Sequence, residues 1–216
     1  MSPKMSPLVS GLPNTALVVI DVQQAFNLDP NYLTLERSTP KLESNIASLL
    51  AAFRAKNLPI IHIHHVNTKN EKSFWYEATR PEGVLPMDYV APQGDEPVLR
   101  KYDKSSGFGA CLVADGTTLS ELLNARGIRT VILVGISSPH CVSSTARSAG
   151  DRGFSVVVVG DATATYAASV VDFGGCKGDS EGGNSWGAET VHGVAMAHLH
   201  GELANVVTTA EVLKYL

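Results

Sequence analysis

The chain has 216 residues and a formal net charge of −4, from 17 Lys and Arg against 21 Asp and Glu. That length can bury a sizeable core as one domain, and without a basic stripe interleaved with aromatics it lacks the footprint of a nucleic-acid binder. No apolar run approaches the ~20 residues that span a bilayer, and the three widely spaced cysteines suggest neither a disulfide framework nor a Cys-x-x-Cys metal site, which points to a reducing, cytoplasmic setting.

Residues 1–14 begin Met1-Ser-Pro-Lys-Met-Ser-Pro7, with no apolar centre of signal-peptide type, and are expected to be a loose lead-in to one domain over 15–216. Thr15 to Ile20 is a continuous apolar run, long enough for a buried parallel strand. It ends in Asp21, an acid placed where open α/β sheets bind ligands, although a helix cap or turn would also use it. Asn27 to Ser38 is polar and irregular and reads as a loop. A helix follows from Pro40, with Leu42, Ile46, Leu49, Leu50 and Phe53 on one face and Asn57 at its stop.

Leu58 to Val66 reads as the next strand. Its His62 and His64 share one face and His65 takes the other, so zinc would still need a third ligand, and no nearby spacing supplies one. No metal or other cofactor is therefore expected, and His65, near the strand end, is a candidate pocket residue. The long excursion from Asn67 to Glu96 carries Phe74-Trp75-Tyr76. Trp75 and Tyr76 are candidate pocket walls, or else pack the loop down.

Pro97 to Arg100 is a short strand, followed by Lys101, a polar turn to Phe108 and a further loop from Gly109 to Gly116. Thr118-Leu-Ser-Glu121 is a capping box opening a helix whose inner face is Leu119, Leu122 and Leu123, and which ends at Arg126-Gly127. The apolar run Val131 to Val134 ends at Gly135, and a polar turn leads to Cys141 at the start of a helix reaching Arg152-Gly153. A helix amino terminus lowers a thiol pKa, so thiolate is expected, against the alternative of a buried structural cysteine. Phe154 to Gly160 is another buried strand, closed by Asp161-Ala-Thr163. Ser169 to Gly187 reads as a flexible surface loop. A helix from Ala188 to Leu203 is expected to turn Val191, Val194, Ala195 and Leu199 inward. A strand at Val206-Val207 and a capping box at Thr208 and Glu211 finish the chain. Alternating strands and helices predict an α/β fold: a single domain with a parallel sheet and helices on both faces.

Three strands thus end in reactive groups, Asp21, Lys101 and Cys141, and a parallel sheet puts those ends on one edge. The chemistry that wants them together is acyl transfer to sulfur. Cys141 attacks a carbonyl, Asp21 moves the proton, and Lys101 supplies fixed positive charge. Backbone N–H groups of Ser137 and Cys141 are the candidate oxyanion donors.

These residues sit in motifs that resemble the isochorismatase-like cysteine hydrolase superfamily, which includes nicotinamidases, carbamoyl-amide hydrolases and isochorismatases. The motifs are Val18-Val-Ile-Asp21-Val-Gln-Gln-Ala-Phe26, Val98-Leu-Arg-Lys101 with Ser106-Gly-Phe108, Gly135 to Val142, Asp161-Ala-Thr163, and Glu189-Thr-Val-His192 through Leu199-His-Gly-Glu202. The resemblance implies a single-domain, three-layer α/β/α fold with a mainly parallel, doubly wound sheet, an Asp–Lys–Cys triad, a cis peptide before Ser137, a small-molecule substrate and a homodimer or homotetramer. Phe26 and Phe108 join the candidate substrate-binding residues. Three departures stand out. The lysine turn is about one residue longer than usual, so Lys104 competes with Lys101, which the strand register favours. Residues 109–115 form an insertion, and the nicotinamidase zinc motif is absent. The expected reaction is hydrolysis of a small amide or carbamoyl compound through a thioester. The alternative is isochorismatase-type vinyl-ether hydrolysis with Asp21 as the acid and Arg80 and Arg100 as candidate anchors for a dianion.

Overall fold

The computed structural model describes residues 12–171, 175–181 and 183–216. Of the lead-in expected over 1–14, residues 1–11 lie outside the described residues, whereas Leu12 is buried in the core. Seven strands form one sheet: β1 (Thr15–Ile20), β2 (Ile60–Val66), β3 (Val98–Tyr102), β4 (Cys111–Leu112), β5 (Thr130–Ile136), β6 (Ser155–Ala164) and β9 (Asn205–Val207), in the order β4-β3-β2-β1-β5-β6-β9. All pairings are parallel except β3 with β4 at the edge. The chain runs outward from β1 in both directions, so the strand order reverses between β1 and β5. That switch point is where an open α/β sheet leaves a crevice.

Each face of the sheet is covered. Leu42, Ile46, Leu49, Leu50 and Phe53 of α3 (Leu42–Ala55) and Val212 of α7 (Thr209–Leu213) pack against Leu17, Val19, Ile132 and Val134. On the other face α4 (Leu119–Ala125), α5 (Ser143–Gly150) and α6 (Ala188–Leu199) bury Leu119, Leu123, Ala146, Ala149 and Leu199 against Val18, Ile61, Val131 and Leu133. The alternation of β1 side chains between these clusters is the strand period of two made visible, with every residue of the strand buried. Both capping boxes are present, at Thr118 with Glu121 and Thr208 with Glu211.

Several expected boundaries move. The segment expected as a loop over 27–38 holds part of a short helix α1 (Ala25–Leu28) and all of α2 (Pro30–Leu33), the latter capped by the Asp29 side chain on the Asn31 N–H. Helix α3 starts at Leu42, two residues after Pro40. Strands β3 and β5 run on through Tyr102 and Ile136, so Lys101 and Gly135 lie within strands. The expected loop over 109–116 contains the edge strand β4; the expected loop over 169–187, of which 172–174 and 182 lie outside the described residues, is closed at its two ends by an antiparallel pair, β7 (Ala168–Ser169) with β8 (Ser185–Trp186). Helix α6 ends at Leu199 and turns Ala188, Met196 and Leu199 inward. Val194, expected inward, is exposed.

Among the described strand residues, Gly135 is the position that only glycine fits. Its φ is +123°, and a Cβ there would lie 2.1 Å from the Ile20 carbonyl oxygen. The close approach brings the end of β5 against the end of β1, directly before Asp21 and Ser137.

Candidate active site

Asp21, Lys101 and Cys141, separated by up to 120 positions in the sequence, meet at the carboxyl edge of the sheet. The Lys101 Nζ lies 2.8 Å from Asp21 Oδ2 and 3.4 Å from Cys141 Sγ. It also donates to the Lys104 carbonyl at 2.9 Å and sits 3.4 Å from His65 Nδ1. Lys101 is fully buried and Asp21 is 2% exposed, so the pair is a desolvated one. Burial pulls the Lys101 ammonium pKa down, but the Asp21 carboxylate and the Cys141 sulfur more than offset this, and the net shift is upward. Lys104 supplies a backbone carbonyl, and its residue is exposed, so Lys101 is the lysine that reaches the site.

Backbone geometry aims these groups. Asp21 adopts a left-handed φ of +52° just beyond β1, which turns the chain out of the sheet plane. Two residues on, fully buried Gln23 accepts the His65 N–H at 2.7 Å and donates to the His65 and Val84 carbonyls. It thereby fastens the end of β2 and the long excursion over 67–96 beside the site. Nothing in periodicity or charge singles out Gln23; its position two residues after Asp21 is the only signal the sequence carries.

Cys141 does not open an ordinary helix. It lies in a π-helical turn, Ser138–Val142, whose Val142 N–H donates to the Ser137 carbonyl, and α5 begins after it. The peptide between Ile136 and Ser137 is cis, as the family resemblance implied. Thr145 braces the turn: its hydroxyl donates to the Cys141 carbonyl and accepts the Gly107 N–H at 2.8 Å. Ser138, fully buried, meets His192 Nδ1 of α6 at 2.7 Å.

The thiol differs from expectation. Burial first, and then the negative charge of Asp21, push its pKa up to about 12, against a smaller downward pull from Lys101. The position at a helix entrance therefore does not yield a resting thiolate. Beside it, Asp21 Oδ1 is buried and, among the described residues, has no hydrogen-bond partner. Around Lys101 Nζ the site thus gathers the Cys141 sulfur and the Asp21 carboxyl group.

These groups open on a cavity of about 390 Å³. Asp21, Ser137 and Cys141 line it, as do the expected Phe26, His65 and Trp75. Burial, then the Lys101 charge, lower the His65 pKa despite the opposing carboxylates. Two expected walls lie elsewhere. Tyr76 is not among the lining residues. Phe108 packs on Phe154, with ring centroids 5.8 Å apart, under the Arg152 guanidinium. Unforeseen were Tyr32 of α2 and Tyr166, whose rings join Phe26 at 4.8 Å and 5.6 Å, while Trp75 meets the edge of Phe26 at 4.8 Å. These aromatics come from three distant segments, and no local pattern links them. Among the described residues no Lys or Arg lines the cavity. Arg80 sits over the Phe74 ring at 4.6 Å and Arg100 pairs with Glu77 at 2.7 Å.

His62 and His64 belong to structure rather than to this edge. His62 Nε2 meets Glu96 at 2.9 Å, and Glu96 also binds Arg54 at 2.7 Å. Among the described residues no group of His, Cys, Asp and Glu has the arrangement of a metal site.

A doubly wound α/β protein with a cysteine, a lysine and an aspartate gathered at its switch point is the class that fold and site define. A family model of the isochorismatase domain matches residues 15–174. The chain is similar to the isochorismatase family protein YrdC of Bacillus subtilis, 32% identical over 198 residues that cover 92% of this chain and 94% of YrdC. It is also similar to the solved structure of a cysteine hydrolase from Pseudomonas syringae pv. phaseolicola, with 26% identity, a TM-score of 0.77, and coverage of 100% of this chain and 98% of that one. The ureidoacrylate amidohydrolase RutB of Methylorubrum extorquens is 28% identical over 186 residues, covering 73% of this chain and 72% of RutB. The chain belongs to the isochorismatase family, as one of its hydrolases. No helix among its described residues is long and apolar enough to cross a membrane.

Proposed function

We propose that the protein hydrolyses a small amide or carbamoyl compound through a thioester on Cys141. The observation that carries this reading is the shared ammonium. Lys101 Nζ stands 2.8 Å from the Asp21 carboxylate and 3.4 Å from the Cys141 sulfur, while Asp21 Oδ1 is left without a partner among the described residues. The substrate carbonyl oxygen points at the N–H groups of Ser137 and Cys141. As sulfur bonds to the carbonyl carbon, the thiol proton passes to Asp21. The raised thiol pKa makes this transfer part of the attack rather than a step before it. The C–N bond then breaks, Asp21 returns the proton to the departing nitrogen, and ammonia or an amine leaves. Water, giving its proton to Asp21, attacks the thioester, and that proton returns to sulfur as the acid departs. Lys101 stays charged throughout and holds the carboxylate in place.

Two further observations favour an amide over the vinyl-ether alternative. Neither candidate anchor for a dianion lines the cavity: Arg80 sits over the Phe74 ring and Arg100 pairs with Glu77. RutB, a relative over most of its length, is named as an amidohydrolase.

The test is a panel of amides, carbamoyl compounds and isochorismate, scored for ammonia and for pyruvate. The expected result is ammonia from at least one amide, with turnover abolished in Cys141→Ala and reduced by about 10²–10⁴-fold in Asp21→Asn. Pyruvate from isochorismate, retained in Cys141→Ala and lost in Asp21→Asn, would assign the ether reaction instead.

A further inference from the structure

Beside the reaction cavity lies a second hollow of about 510 Å³, formed where α5 and α6 face the β7–β8 pair. Pro139, Ala168 and Val191 line both hollows, so the two meet along these residues. On α6 the groove is lined by Val191, Val194, Ala195 and His198, the i, i+3, i+4, i+7 stripe of one helical face. This is the face expected to be buried. The core takes Ala188, Met196 and Leu199 instead and leaves Val194 54% exposed. Trp186 supplies a further wall. The two ionisable lining residues, Arg147 and His198, are both exposed.

We infer that this groove is a subsite for an apolar acyl or alkyl portion of the substrate, running on from the carbonyl held at Cys141. The inference rests on the amide reading and names the substrate class within it: amides with an extended apolar arm. Four features support it. The groove is concave, its volume falls in the roughly 300–1,000 Å³ range of ligand pockets, its lining is largely apolar, and it shares three wall residues with the cavity that holds the sulfur. An apolar arm covering Val194 and Trp186 would remove from water a face that the fold leaves open, which favours binding by the area buried.

The chain has two tryptophans, and they divide between the hollows: Trp75 lines the reaction cavity and Trp186 the groove. Acetamide, butyramide, hexanamide and octanamide are titrated against the full chain carrying Cys141→Ala, combined with either Trp186→Phe or Trp75→Phe. Acetamide should change Trp75 emission alone, and octanamide should change both. Affinity should rise up to about fourfold for each methylene that enters the groove. Adding Val194→Asp, at an exposed position, should leave acetamide binding unchanged and remove the gain from chain length. If Trp75 responds while Trp186 is silent at every length, the subsite is refuted and the amide reading stands. If Trp75 is silent to all four compounds while the parent chain releases ammonia from another amide or carbamoyl compound, the subsite is refuted and the amide reading stands; if no amide or carbamoyl compound releases ammonia, both fail. Retention of the full chain-length gain in Val194→Asp refutes the subsite. So does sedimentation showing a dimer that Val194→Asp dissociates, since the groove then belongs to a second copy of the chain.

Discussion

Replacing Lys101 with Met tests the central physical claim, that a buried ammonium holds two other groups in place. Methionine nearly matches the length of the lysine stem, so the change removes charge and hydrogen bonds rather than volume. It would strand the Asp21 carboxylate, 2% exposed, without the cation now 2.8 Å away. Removing one partner of a buried ion pair costs about 3–5 kcal/mol, because the remaining charge stays desolvated. At about 2–4 °C per kcal/mol for a chain of this size, the melting temperature should fall by about 6–20 °C, with turnover lost as well. The lysine pKa is raised in the fold, so its stabilisation is complete at pH below the ordinary value of 10.5 and disappears only as pH rises through the raised value; the deficit should therefore be constant across neutral pH. Thermal melts followed by circular dichroism measure it. Lys104→Met is the control: that residue is exposed and offers the site only its backbone carbonyl, which the substitution keeps. A Lys101→Met protein that melts within a degree or two of its parent, or a Lys104→Met protein that loses as much, would refute the reasoning.

Two further outcomes follow from the charges around the site. In Asp21→Asn the group that takes the thiol proton during attack is gone, so alkylation of Cys141 by iodoacetamide at neutral pH should slow along with turnover; alkylation at the parent rate would contradict that role. His64, 8% exposed, has its pKa lowered from 6.5 to about 4, chiefly by burial and then by His62 and Arg100. The unfolded chain therefore binds the proton first, and stability falls as pH drops from 6.5 toward 4, by about 3 kcal/mol for this group. His64→Asn should flatten that part of the acid limb in denaturant titrations at stepped pH, and an unchanged slope would show that His64 does not carry it.

The cavity walls explain why its chemistry was easier to foresee than its shape. Asp21, Lys101 and Cys141 each follow or end a core strand, and a parallel sheet aligns such ends by its own geometry. Phe26, Tyr32, Trp75 and Tyr166 gather from turns, short helices and a long excursion, whose paths depend on ties such as Gln23 to His65 and Val84. Tyr76, adjacent to Trp75, shows the limit: one residue along an irregular segment is enough to leave the pocket.

What the linear chain determined was everything that local pattern dictates. The apolar runs specify buried strands, the i, i+3, i+4 spacing specifies α3 and α4, the Thr-x-x-Glu boxes place two helix starts, and the alternation of elements points to a parallel sheet with helices on both faces. Tertiary structure alone decided the quantities that depend on neighbours distant in sequence. Burial and the Asp21 charge, not the helix entrance, govern the sulfur, and core packing through Met196 and Leu199 decides which α6 stripe faces outward. Periodicity is a property of adjacent residues, whereas desolvation and Coulomb energy are properties of whatever the fold brings within a few ångströms.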